Sequence, residues 1–315
     1  VRLTLKGLLG RKSAEAAEPA AFAGLPIRKV AIGGADEWLA VHVNGQLGQG
    51  RVPILCIPGY NRNMSDFADL VRLLRRELGG DPPIVLVDLR GRGRSPRRRR
   101  GEDYTTTNDA RDLSQLCRAL AIETAIVVGE GHGGQVAMAL ALERPTLLAG
   151  TVLIDAGPVI APESLVRLRG NMQAIAGLRG AGGLTVMLRR MIRADYPAIE
   201  GEEIDRLVGR THVISAAGAA EPLYDPALIT RLADLTYDDV LAPQWDFFEL
   251  LRHLPIMFIR SELTDQLPLA VLEEMVTRRP DAMGMAIDQQ RSPPLLNRAE
   301  DVALIAEFVR RATGV

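Results

Sequence analysis

Short apolar runs alternate with amphipathic stretches over two separated parts of the chain. Between residues 27 and 157, "RKVAIGG" and "WLAVHVNG" read as two strands joined by a turn. "VPILCIPG" is a buried strand, and "SDFADLVRLLRREL" follows with helical spacing and Ser65 or Asp66 as the expected N-cap. "PIVLVDL" is a further strand, "TTNDARDLSQLCRALAI" an amphipathic helix, "TAIVVGE" a strand, "GGQVAMALALER" a helix and "AGTVLIDAG" a strand. Continuous apolar strands separated by helices predict a parallel sheet covered on both faces.

Residues 158 to about 240 break this rhythm. They carry helical patterns such as "LTVMLRRMIRADY" and "GEEIDRLVGRTHVI" and no convincing apolar strand. The alternation resumes with "LPIMFIRSE", "PLAVLEEMVTRR", "AMGMAID" and a final helix, "AEDVALIAEFVRRA". The expected organisation is a doubly wound α/β core over 25–157 and 240–315, a helical cap insertion over 158–239, and an N-terminal extension over 1–24.

Composition narrows the function. An apolar content of 47% with 24% charged residues is ordinary for a globular chain. A net charge of −1 gives no overall field that favours nucleic acid or a membrane surface. Cys56 and Cys117 cannot form a disulfide framework, which fits a reducing compartment. The opening "VRLTLKGLLGRK" has charges beside short apolar runs, but Lys6 interrupts them; a frayed leader or a short surface helix is expected rather than an export signal. No stretch of 18 uninterrupted apolar residues predicts a membrane span. The expectation is a cytoplasmic protein, with 35 arginines against 3 lysines suggesting a GC-rich bacterial genome.

The chemistry centres on "VVGEGHGGQ", Val127 to Gln135, which has the shape of the nucleophile elbow G-x-S-x-G. Its five positions read Gly129, Glu130, Gly131, His132 and Gly133, so the apex has no side chain. With "CIPGYNRNMSDF", "DLRGRGRS", "YTTTNDARDL", "IRSELTDQL" and "QRSPPLLNRAEDV" in order, the chain resembles the α/β-hydrolase superfamily from about residue 27 to 312. The resemblance implies an α/β-hydrolase fold and a triad in chain order Ser, Asp, His. Asp265 stands at the acid position, Gly131 at the nucleophile position and Ser292 at the histidine position, so two of three members are missing. The last histidine of the chain, His253, precedes the acid and cannot serve. Loss of a whole triad removes about 10⁶ in turnover.

The same resemblance implies an oxyanion cradle made by the backbone N–H groups of Tyr60, next to Gly59, and His132, at the N-terminal end of a helix. His132 and Glu130 are the candidate substitute bases; the bland expectations are that the His132 ring faces the sheet or a neighbouring helix and that Glu130 points away from the pocket. Arg291 either pairs with the orphaned Asp265 or faces solvent. Two functions follow. The first is a degenerate, non-catalytic member binding a small molecule or a protein partner under the cap, as in serine-less lineages such as neuroligins. The second is a hydrolase of a small ester, lactone or carbon–carbon bond that activates water through His132 or Glu130. No cofactor, metal or nucleic acid is expected.

One cluster stands apart: "RGRGRSPRRRR", Arg90 to Arg100, holds seven arginines in eleven residues. Arg90, Arg92 and Arg94 belong to the family turn. Arg97 to Arg100 are extra, and form either an anion-binding patch or a solvated loop neutralised by Glu102 and Asp103. The run has no interleaved aromatics, which weighs against single-stranded nucleic acid. His42 and His212 show no metal spacing and read as structural.

Overall fold

The computed structural model describes residues 19–34, 36–178, 181–214 and 220–314. The sequence reading of residues 1–18 therefore lies outside the described residues. Eight strands form one sheet: β1 (Arg28–Ala31), β2 (Trp38–Asn44), β3 (Ile54–Ile57), β4 (Ile84–Asp88), β5 (Ala125–Glu130), β6 (Leu148–Ile154), β9 (Ile256–Ser261) and β10 (Met283–Ile287). Their spatial order is β1-β2-β4-β3-β5-β6-β9-β10. β1 pairs antiparallel with β2, and β2 antiparallel with β4; every later pair is parallel.

The central strands are apolar throughout because both faces are covered. Alternation along β3 sends Leu55 and Ile57 into one core and Ile54 and Cys56 into the other. The first core lies under α2 (Thr106–Ala119) and α3 (His132–Glu143), the second under α1 (Ala68–Leu78) and α10 (Ala299–Thr313). Two more helices, α8 (Trp245–Glu249) and α9 (Leu269–Arg278), complete the sheet's covering. Cys56 and Cys117 are buried and unpaired. At the N-terminal end of the described chain, Phe22 is buried in the second core with the Arg94 guanidinium 4.1 Å from its ring centre.

Between β6 and β9 lie α4 (Pro162–Gly177), α5 (Ala181–Asp195), α6 (Glu202–Gly209) and α7 (Ala227–Arg231). Leu184, Leu188, Ile192, Ile204 and Leu207 form a separate apolar cluster that reaches Leu295. Two features of the sequence reading change here. "THVI" is not helical: β7 (His212–Ile214) and β8 (Ala220–Pro222) form a small antiparallel hairpin, too short to leave an apolar run. The N-cap ahead of α1 is Asn63, whose side chain accepts from the Ser65 N–H at the start of a 3₁₀ turn, Met64–Phe67; Ser65 and Asp66 lie inside that turn. Among the described residues, no helix is long and apolar enough to cross a membrane.

Candidate functional site

β5 ends in a sharp turn at Gly131, which N-caps α3 with φ +49° and ψ −112°. That conformation favours glycine, since side chains rarely tolerate positive φ. Gly133 is demanded by proximity instead, because a Cβ there would collide with the carbonyl oxygen of Ile57. The turn aims the first N–H groups of α3 at a cavity of about 500 Å³ at the carboxyl end of the sheet. Tyr60, Glu130, Gly131, His132, Gln266 and Ser292 line its sheet side. Leu168, Met172, Leu188 and Ile192, from α4 and α5, line the opposite side.

The place a nucleophile would occupy is taken. A Cβ on Gly131 would run into the side-chain oxygen of Gln266, which arrives from the loop after β9. This residue carried no signal in the sequence, because its importance lies in where the loop delivers its amide.

His132 is committed elsewhere. Its Nε2 sits 2.9 Å from Asp109 Oδ2 on α2, and its ring meets the Tyr60 ring edge-on at 5.4 Å. Burial lowers the imidazole pKa and outweighs the opposing effect of Asp109. The ring therefore faces a neighbouring helix. Asp109 also meets Arg92 at 3.2 Å and Arg98 at 2.7 Å. Burial works to raise its pKa, but Arg92 and the His132 bond bring it well below the ordinary carboxylate range.

Three guanidinium groups of the run Arg97 to Arg100 pair with acids other than the two the sequence suggested, Glu102 and Asp103. Arg98 is 5% exposed and bridges Asp109 and Asp112. Arg97 lies 3.8 Å from Asp225 and Arg99 lies 3.2 Å from Glu37. Glu102 faces Arg90 at 3.7 Å, and Asp103 faces Arg231 at 3.7 Å. Arg98 is thus part of the interior rather than of a solvated or anion-binding loop. Helical spacing explains it: Asp109 and Asp112 are three apart on α2 and present both carboxylates to one side.

Glu130 departs from expectation. Its side chain lines the cavity, buried beside Gly59, and its Oε1 accepts the Ser292 hydroxyl at 2.7 Å. Two small residues make the room: Gly59 has no side chain, and Ser292 is far shorter than an imidazole. Oε2 has no partner. Burial pushes the carboxyl up to about 7, with Ser292 opposing.

Asp265 accepts two hydrogen bonds from Arg167 of α4, from Nε to Oδ2 and from Nη2 to Oδ1, the latter at 2.7 Å. Arg291 is its outer neighbour at 3.9 Å and lies closer to Asp195, at 3.3 Å, whose carbonyl also accepts the Arg291 N–H. Arg167 was invisible in the sequence, because nothing in a helical pattern tells which arginine turns inward. A second acid was also missed. Asp155, just after β6 at φ +48°, accepts the N–H and O–H of Ser261 at 2.7 and 2.6 Å. Burial pushes it up to about 6 against those bonds.

The Tyr60 hydroxyl donates to the Leu228 carbonyl at 3.1 Å, and the Tyr60 carbonyl accepts from Arg92 at 2.8 Å, so the loop carrying it is pinned from both sides. His42 is tied to the Pro26 carbonyl at 2.8 Å. His212 is buried against Tyr224 and lines the cavity. Among the described residues, no group of three or more His, Cys, Asp or Glu side chains is placed to hold a metal.

Sheet order, elbow and cavity together define the α/β-hydrolase fold. Residues 52–173 match the α/β-hydrolase-fold family model. A crystal structure of an α/β hydrolase from Novosphingobium aromaticivorans superposes with a TM-score of 0.75 at 26% identity, over 91% of this chain and 98% of that one. The 3-hydroxybutyrate-oligomer hydrolase of Cupriavidus necator is 23% identical over 86% of this chain and 92% of its own length. An uncharacterized hydrolase of Bacillus subtilis, YugF, is 28% identical over 41% of this chain, a match spanning only 44% of that relative. The chain has the α/β-hydrolase fold and is similar to proteins named as hydrolases.

Proposed function

We propose that the chain binds a small molecule in this cavity without covalent catalysis, the segment 158–239 acting as a cap over it. The observation that carries the reading is Gln266: its amide fills the space of the missing nucleophile side chain at Gly131. The other vacated roles support it. Ser292, at the histidine position, is bonded to Glu130, and Asp265, at the acid position, is neutralised by Arg167. The N–H groups of Tyr60 and His132 depend on backbone alone and remain as an anion or carbonyl cradle, with Gly59 giving close approach. A cavity of this size with apolar walls and few polar groups suits a small molecule better than a protein partner. Two buried free thiols support a reducing, cytoplasmic setting.

One observation favours a second reading. Glu130 is a lining residue of the cavity with a pKa near 7, in the range that suits a general base acting on water. The deciding experiment is hydrolysis of 4-nitrophenyl acetate and butyrate by the wild type, Glu130→Gln and His132→Ala. The binding reading requires all three to match the buffer rate. Wild-type turnover lost in either variant would establish a hydrolase with a relocated base. A combined Gly131→Ser, Gln266→Ala and Ser292→His variant that gains turnover would show that the scaffold lacks only those side chains.

A further inference from the structure

Four charged side chains close into a ring where the segment 158–239 meets the core. Arg167 of α4 donates twice to Asp265, on the loop after β9. Asp265 lies 3.9 Å from Arg291, on the loop after β10, and Arg291 lies 3.3 Å from Asp195 at the end of α5. Asp195 in turn acts on the Arg167 charge, so the signs alternate around the ring. Arg167 and Asp195 line the cavity, yet all four side chains are 26–34% exposed. The ring therefore stands at the rim of the cavity, between its interior and solvent.

The elements that meet there are not held alike. The end of α5 has uncharged ties as well: the Arg291 N–H donates to the Asp195 carbonyl at 2.8 Å and the Tyr196 hydroxyl to the Pro293 carbonyl at 2.6 Å. The later part of the segment is fixed in the same manner. The Gly93 N–H donates to the Leu223 carbonyl and the Asp225 N–H to the Gly91 carbonyl, both at 2.7 Å, while buried Arg210 reaches Asp69 at 3.2 Å. α4 differs. Its Arg169 bonds the carbonyls of Leu232 and Ala233, inside the same segment, and its Ser164 bonds the Ala161 carbonyl. Arg167 carries its charged link to the core. A partly exposed ion pair is weak and screened by salt, whereas hydrogen bonds between peptide groups are not screened.

We propose that Arg167 and Asp265 form a latch: breaking their pair lets α4 swing from the core, pivoting about Arg169, and opens the cavity at this rim. This rests on the cap reading above and names the element that moves. The position where a triad acid is expected then serves access instead of catalysis. The test is thiol labelling of a Met172→Cys protein with N-ethylmaleimide. Met172 lines the cavity from α4 and is 1% exposed, so a thiol there reacts when α4 moves or when the whole chain unfolds. Cys56 and Cys117, buried in the two sheet cores, report the second case in the same sample. The reagent is uncharged, so salt acts on the protein and not on its approach.

Arg167→Met and Asp265→Asn, each added to that parent, should speed labelling at 172 about 2- to 5-fold in low salt, the range a partly exposed pair supports. The double change should be no faster than either single one. Raising NaCl to 1 M should speed the parent and leave the three latch variants unmoved. Equal rates in all four proteins, or a parent indifferent to salt, overturn the latch. Acceleration matched at Cys56 and Cys117 overturns it too, since the whole chain is then opening. Gains that add in the double change overturn the pairing of the two residues. No ligand enters this measurement, so these failures leave the binding reading standing; that reading fails on wild-type ester turnover instead.

Discussion

Gly131→Ser is the most direct probe of the site, because two separable terms oppose it. The backbone at φ +49° and ψ −112° is one that an L side chain adopts only under strain, about 1–3 kcal/mol. The new Cβ would also meet the Gln266 amide oxygen, but that is the far end of a flexible, half-buried side chain, which moves aside at small cost. Backbone strain therefore dominates, and the change should destabilise the fold by about 1–3 kcal/mol, lowering Tm by several degrees. The terms separate in a double-mutant cycle with Gln266→Ala. The alanine leaves the backbone strain in place, so the two changes should be additive within about 0.5 kcal/mol. Urea unfolding followed by circular dichroism, with equal m-values across the four proteins, supplies the numbers. A rescue by Gln266→Ala well beyond about 0.5 kcal/mol would refute this ordering of the two terms and show a rigidly held amide over the elbow. A neutral Gly131→Ser would refute the strained turn as well.

Three other outcomes follow from buried charge. The Glu130 carboxyl titrates near 7 in the folded chain against an ordinary 4.5, so between those values the folded state holds more protons than the unfolded. Stability therefore falls as pH rises through that window and levels off above 7; Glu130→Gln should raise Tm at pH 8, change it little at pH 4.5, and leave a shallower slope owed to Asp155, Asp88 and Asp112, all near 6. Asp109→Ala strands Arg92 in the interior and leaves Arg98 with Asp112 alone, and should cost about 3–5 kcal/mol in chemical unfolding, whereas His132→Ala leaves both arginines paired with Asp109 and should cost less. Arg167→Ala breaks a pair whose partners are 34% and 28% exposed; the expected loss is about 1 kcal/mol in low salt, shrinking in 1 M NaCl.

The sheet was legible because buried parallel strands must be apolar on both faces, and Ile54–Ile57, Ile84–Asp88 and Ala125–Glu130 show that directly. The elbow was legible because glycines at 129 and 133 answer close backbone approaches that any Cβ would block, and the residue between them turns the chain at positive φ. The hairpin β7–β8 was not, since strands of three residues leave no period to read. Side-chain partnerships were the hardest to read. Gln266, Arg167 and Asp155 matter through distances set by loops and by helix rotation, and their local sequence is ordinary. The arginine run misled for a related reason: seven like charges in eleven residues look solvated until the acids of α2 are brought beside them.

On the binding reading, the three positions where a triad is expected are not empty. Gln266 covers the apex, Glu130 holds the serine that replaces the histidine, and Arg167 holds the acid. Each replacement obstructs the return of the original group. A hydroxyl at 131 alone would have no base. An imidazole at 292 would have to displace the Glu130 carboxyl from the space beside Gly59. That imidazole would then compete with a two-armed arginine for Asp265. Restoring any one member therefore gains nothing, because a triad acts as a unit and its parts are strongly non-additive. The cradle is different. Its donors are peptide N–H groups, positioned by a turn that the close contact of Gly133 with Ile57 keeps in place, and no side-chain substitution removes them. On that reading the site keeps backbone donors for an oxygen atom and has no side chain placed to attack beside it.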